Sequence, residues 1–173
     1  MGTIQNPLKV KMIAGLLAGD EEILDRSKKA LVSEFGPIDL QSEIIPFDFT
    51  DYYNEETGDN IIRQYISFGD LIDPGSMAGI KVKTNLLERE FAVDNKRKVN
   101  IDPGYVDLSK MVLASAKDAT YRVYLGEGIY AQATLYYKGR SYTPWPWTYE
   151  DYKAETAIGF FNRVRDKYKV CVQ

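Results

Sequence analysis

The chain has 173 residues, 45% of them apolar and 27% charged, and a net charge of −3; that length suits one domain with a core of its own, and the acidic balance argues against a general nucleic-acid binder, which needs a basic surface. It contains no histidine, which excludes Ser-His-Asp and Cys-His catalysis and His-ligated zinc or haem, so acid–base chemistry would fall to Asp, Glu, Lys or Tyr. The one cysteine, Cys171, cannot form an internal disulfide and points to a reducing compartment, the cytoplasm; there is no long apolar span, and the apolar run Met12–Ala18 is too short for a signal h-region followed by a cleavage site.

In chain order, Lys9–Leu17 reads as a buried first strand. Asp20 is a good N-cap, with Glu21 and Glu22 in the first turn and Gly36-Pro37 as the stop, so a helix is expected between them. Ile38–Phe49 reads as a second strand that Pro46 places at an edge or bend, and residues 50–60 as a polar loop. Ile61–Leu71 resumes strand character. Asp73-Pro74 then opens a second helix, whose face is Met77, Ile80, Thr84, Leu87 and Phe91. Gly79 within it suggests close packing at that point.

Val99–Asp102 is expected as a short strand ending in a type II turn at Asp102-Pro103-Gly104. Leu108–Ala116 fits a helix or a strand, and a short helix is the preferred reading. Tyr121–Leu125 and Ile129–Tyr137 flank Gly126-Glu127-Gly128 as a hairpin. Lys138-Gly139 opens a second turn into a third strand. After the link Pro144-Trp145-Pro146-Trp147, Thr148 with Asp151 forms a carboxylate capping box for a last helix. The buried face of that helix is Ala157, Phe160, Phe161, Val164 and Tyr168. The order implies a single α+β domain over residues 1–173. Its βαββαβ start is compatible with a ferredoxin-like half, extended by an antiparallel meander and a C-terminal helix.

Several segments taken together carry a resemblance. Gly15-Leu16-Leu17 before an acidic helix, Phe35-Gly36-Pro37-Ile38-Asp39, Phe47-Asp48-Phe49-Thr50-Asp51-Tyr52-Tyr53, Asp102-Pro103-Gly104-Tyr105 and Pro146-Trp147-Thr148-Tyr149 are similar to a bacterial family, domain of unknown function 4416. The resemblance runs over nearly the whole chain. It implies no activity, cofactor or partner.

Three constellations hold chemistry. Asp48 and Asp51, beside Tyr53, stand three residues apart at a strand end; they suit Mg²⁺ or an acid–base pair, and equally a loop start in which Asp caps backbone N–H groups. Asp102 and Tyr105 flank the Pro-Gly turn, where Asp102 is a third metal or ligand candidate unless it merely bonds its own turn. Lys110 lies within an apolar run and must snorkel or sit beside a carboxylate. Lys117, Asp118, Arg122 and Tyr124 follow, and Lys117 with Arg122 would suit a phosphate or carboxylate.

The favoured expectation is binding, with turnover left open, of a small anionic, phosphate- or nucleotide-like molecule, with Mg²⁺ as its natural companion. It requires Asp48, Asp51, Asp102, Lys110, Lys117 and Arg122 to meet in one concavity. The alternatives are a non-catalytic interaction module using the aromatic meander and the Trp link, and an RNA binder with a basic face built from Lys96, Arg97, Lys98, Arg122, Lys138 and Arg140.

Overall fold

The computed structural model describes residues 1–49 and 60–173. The apolar run near the start forms β1 (Val10–Ala18), buried along its whole length. Such a strand must be covered on both faces. Asp20 caps α1 (Glu21–Phe35) by accepting from the Ile23 N–H. The expected second strand is divided into β2 (Ile38–Gln41) and β3 (Ile45–Pro46). Both lie along β4 (Ile62–Ile72). A 3₁₀ turn at Pro74–Ser76 leads into α2 (Met77–Glu90), and Asp73 accepts from the Gly75 N–H there. Gly79 has no neighbour within 4 Å of a built Cβ, so close packing does not explain it. Then come β5 (Val99–Val106), β6 (Lys110–Ser115), β7 (Val123–Gly126), β8 (Ile129–Lys138) and β9 (Ser141–Pro144). The chain ends in α3 (Glu150–Lys153) and α4 (Glu155–Val172).

The described strands make one nine-stranded antiparallel sheet in the order β2-β4-β1-β5-β6-β8-β7, with β9 also on β8 and β3 on β4. The segment β2-β4-β1-β5, with α1 and α2 as its crossovers, is the ferredoxin-like arrangement expected of a βαββαβ start. Along β1 the side chains alternate between two cores. Met12, Ala14, Leu16 and Ala18 meet Leu24 and Leu31 of α1 and Met77 and Ile80 of α2. Ile13 faces the other way, to a core filled by Tyr152, Ala157, Phe160, Phe161 and Val164. The C-terminal helix therefore covers the second face, and its apolar stripe is the one its spacing predicts. Among the described residues no helix is long and apolar enough to cross a membrane.

Three local expectations fail for tertiary reasons. Leu108–Ala116 is not a short helix, because β6 runs through it and its apolar residues are buried on both faces of the sheet. Thr148 does not cap the last helix. It donates instead to the Thr134 carbonyl and accepts from the Trp145 N–H, while Asp151 is buried against Arg63. Asp102-Pro103-Gly104 is not a turn but the middle of β5.

Proline is excluded from a strand only where its missing N–H is needed. Ile101 turns its N–H and C=O away from β1, to side chains of α2. Pro103, two residues on, faces the same side, where β6 would be. The β5–β6 ladder pairs Val106 with Met111, Tyr105 with Val112 and Gly104 with Leu113, and there it stops. Pro103 has no N–H to give the next residue, Ala114. Gly104 marks the last close approach, since a Cβ there would sit 2.2 Å from the Val112 carbonyl oxygen and 3.2 Å from Leu113 Cα. Both are backbone atoms and cannot swing aside. Gly104→Ala is expected to lower stability by about 1–3 kcal/mol, the usual cost of overpacking. A urea-unfolding midpoint equal to wild type would contradict this.

Candidate functional site: a cavity where the sheet divides

Beyond Gly104 the two central strands part, and the buried, unpaired edge of β5 needs new partners. Two side chains of α2 supply them. Glu88 Oε1 accepts from the Ile101 N–H at 2.7 Å, and Lys81 Nζ donates to the Ile101 carbonyl at 2.7 Å. Lys81 and Glu88 lie seven residues apart, two helical turns along one face, and both are buried. They take the place of the strand that has moved away. Arg97 Nη1 stands 3.6 Å from Glu88 Oε2 and donates to Asn100 Oδ1 at 3.3 Å. Burial pushes the Glu88 carboxyl above its ordinary pKa, although Lys81 and the Ile101 N–H pull the other way.

The opening between the strands is a cavity of about 140 Å³. Lys81, Asn85, Glu88 and Arg97 line one side of it, and Asn100 and Asp102 belong to β5. The β6 side and its surroundings contribute Ser115, Lys117, Gln132 and Tyr149. Arg122 stands behind this wall and engages it through every nitrogen. Its Nε donates to Gln132 Oε1 at 2.9 Å, Nη1 to Ser115 Oγ at 2.9 Å and to the Lys117 carbonyl at 2.6 Å, and Nη2 to the Tyr149 hydroxyl at 2.5 Å. Because Arg122 can only donate, Gln132 must turn its oxygen to the guanidinium. Its Nε2 is thereby left as a buried donor with no hydrogen-bond partner, on a residue 1% exposed.

On the β5 side, Asp102 Oδ2 accepts from Asn100 Nδ2 at 3.0 Å and lies 3.5 Å from Arg63 Nη1. Arg63 is buried within β4 and also pairs with the buried Asp151 of α3. Its guanidinium lies 5.3 Å from the Tyr65 ring centroid and 5.2 Å from that of Tyr152. Burial opposes its charge, but Tyr152, Asp151, Tyr65 and Asp102 together hold its pKa above the ordinary arginine value. Gly15 makes room for the cluster: a Cβ there would lie 2.3 Å from the Tyr152 hydroxyl and 2.9 Å from Arg63 Nη1.

The residues singled out in the sequence do not all meet. Asp102 and Lys117 line the cavity, and Arg122 fixes its wall. Tyr105 and Lys110 lie past Gly104, on the paired end of the β5–β6 ladder, and line a separate hollow of about 370 Å³ with Asp107 and Tyr168. Lys110 is held beside a carboxylate, Asp107, at 2.5 Å. Asp48 is exposed beyond β3 and does not line the cavity, and Asp118 is exposed between β6 and β7. Tyr124 is exposed on β7, with its ring 5.3 Å from that of Tyr130. Asp51 and Tyr53 lie outside the described residues. The expected convergence of Asp48, Asp102 and Lys110 therefore does not occur, because β5 carries Asp102 and Tyr105 to opposite sides of the Gly104 crossing. Among the described residues no three of Asp, Glu and Cys lie close enough together to hold a metal ion.

Five functional candidates escaped the sequence reading: Arg63, Lys81, Glu88, Gln132 and Tyr149. Lys81 and Glu88 carried a signal, since each lies four residues after a member of the buried stripe, Met77 and Thr84. Arg63 carried one too, as a charge inside the apolar run of a central strand, where it must find a buried partner.

Comparison with known proteins adds a family but no activity. Neither a curated protein nor a solved structure matches the chain. The sequence profile of a family described as a domain of unknown function, DUF4416, matches residues 8–168. The span takes in both cores and every described residue of the cavity wall, and the chain belongs to that family.

Proposed function

We propose that the cavity between β5 and β6 binds a small anion. The observation that carries this reading is the Gln132 Nε2 group, a buried donor that Arg122 prevents from rotating into an acceptor. A buried donor without a partner costs about 1–3 kcal/mol, and an acceptor oxygen from a ligand removes that cost. The surrounding charge supports an anion: Lys81 lines the cavity, and Arg122 behind its wall donates to the neutral oxygens of Gln132, Ser115, Lys117 and Tyr149. Size narrows the ligand class. A volume of about 140 Å³ is below the roughly 300–1,000 Å³ of pockets for drug-sized ligands. A phosphate or a short carboxylate suits it, whereas a nucleotide does not.

The test is thermal unfolding with phosphate, sulfate, acetate and propionate. Ligand at about 100 times its Kd stabilises by ~2.7 kcal/mol, a rise of roughly 5–10 °C for a chain of this size. Gln132→Glu keeps the bond from Arg122 and replaces the donor by a second acceptor, so it should abolish the rise. No shift with any of the four anions, or an undiminished shift in the variant, contradicts the reading.

A second reading, an interaction module, is favoured by β7. Val123, Tyr124 and Leu125 are exposed along this edge strand, beside an exposed Tyr121 that stacks on the half-buried Trp147. An unprotected apolar edge invites strand pairing with another chain. The RNA-binding reading is weakened by Arg97 and Arg122, whose guanidinium groups are engaged inside the protein.

A further inference from the structure

The two oxygens of Asp102 differ in their company. Oδ2 lies 3.5 Å from Arg63 Nη1 and accepts from Asn100 Nδ2 at 3.0 Å. Oδ1 makes no hydrogen bond among the described residues, and it is not sealed inside the protein as the Gln132 donor is. Asp102 is part-buried and lines the cavity, so Oδ1 is an open acceptor there. As the carboxylate partner of Arg63, it has no proton to offer in return. Gln132 Nε2, on the same lining, is its opposite, a donor that cannot accept.

Small oxyanions answer this pair differently. Sulfate, acetate and propionate present only acceptor oxygens, which satisfy Gln132 but set a bare oxygen against the lone pairs of Asp102. Hydrogen phosphate has the charge of sulfate and nearly its size and shape, yet it keeps a P–OH group. Its other oxygens can accept from Gln132 while that hydroxyl donates to Asp102 Oδ1. An O–H donating to a carboxylate is among the stronger hydrogen bonds, whereas two acceptors brought together lose their water without return. The distinction is one proton at equal charge, so it does not depend on how the cations around the cavity are paired. We infer that the cavity takes a tetrahedral oxyanion that retains a proton, inorganic phosphate, and rejects sulfate, with Asp102 as the specificity-determining residue. The inference rests on the anion reading above and names its ligand.

Titration calorimetry of the full chain at about pH 8 separates the two readings. The probes are inorganic phosphate, sulfate, acetate, propionate and methyl phosphate, a monoester that has lost its second proton by that pH. Phosphate is expected to bind at least about ten-fold more tightly than each of the others, because a site built around a ligand O–H discriminates strongly against analogues lacking it. In Asp102→Asn the amide oxygen is retained by Arg63 and Asn100, and an NH₂ group replaces Oδ1 in the cavity. Sulfate should then gain, and its affinity should come within about three-fold of that of phosphate. If sulfate, methyl phosphate or a carboxylate binds wild type as tightly as phosphate does, the proton-bearing ligand is refuted and the anion site stands. A preference for phosphate that survives Asp102→Asn unchanged refutes the role of Asp102. If none of the five binds, both readings fall. The wild-type series alone decides on the ligand should Asp102→Asn not fold.

Discussion

Arg63→Met is expected to lower the unfolding free energy by about 3–5 kcal/mol, the cost of breaking a buried ion pair by removing one partner. The side chain is buried inside the sheet, and its loss strands Asp151 and part-buried Asp102 without their cation. The cost is not the worth of the contact but the penalty for uncompensated charge. A second substitution should therefore relieve it. Asp151→Asn added to Arg63→Met is expected to be less destabilising than the sum of the two single changes by at least about 1 kcal/mol, within the range of coupling between residues in one network. Urea unfolding of the four proteins in the cycle checks this. Additive losses, or a single-variant loss below about 1 kcal/mol, would show that Arg63 is solvated or otherwise compensated.

The second large effect lies on α2. Glu88→Leu removes the acceptor of the Ile101 N–H and the counter-charge of buried Lys81 together. It is expected to cost about 3 kcal/mol or more, from an unpaired buried cation and an orphaned backbone donor. Glu88→Gln keeps an acceptor for Ile101 and should cost less. The two proteins also differ in pH dependence, and the direction follows from burial. Because the folded-state carboxyl of Glu88 lies above its ordinary value, its contribution is fully present below the unfolded pKa of about 4.3 and is lost as pH rises through the folded pKa. Wild type should therefore lose stability relative to Glu88→Gln over that interval. A stability difference that stays constant with pH, or changes in the opposite sense, would contradict the shift.

Much of the architecture could be read from local pattern, and the failures share one origin. The helix α1 follows from its Asp20 cap, α2 from Asp73-Pro74 and its spacing by three and four, α4 from its spacing alone, and the β7–β8 hairpin from Gly126-Glu127-Gly128, because those signals are confined to neighbours in sequence. Asp102-Pro103-Gly104 has the composition of a turn, yet Pro103 marks where β5 lacks a strand partner and Gly104 where two backbones touch. Both requirements come from β6 and α2, which the local sequence does not contain. The run in β6 is apolar on both faces, so it shows no period that would distinguish strand from helix. Thr148 and Asp151 match a cap by spacing but are claimed by Thr134 and Arg63 across the fold.

The site was legible to a similar extent. Asp102, Lys117 and Arg122 could be suspected as polar groups near strand ends. The role of Arg122 could not, because it depends on where β8 places Gln132. Lys110 stood out in sequence for the apolar residues around it, and its partner is Asp107, three residues earlier, so a local pairing accounts for it.

If the cavity at the division of the sheet is a binding site, the Gln132 side-chain amide reports on it directly. In ¹⁵N-labelled protein titrated with acetate and phosphate, the Gln132 NH₂ resonances should shift with saturation. Backbone amides of Asp102 and of Ala114–Lys117 should shift with them, while Tyr105 and Lys110, beyond the Gly104 crossing, stay in place. Saturable shifts confined to the Tyr105–Lys110 hollow, or none at Gln132 at any ligand concentration, would contradict it.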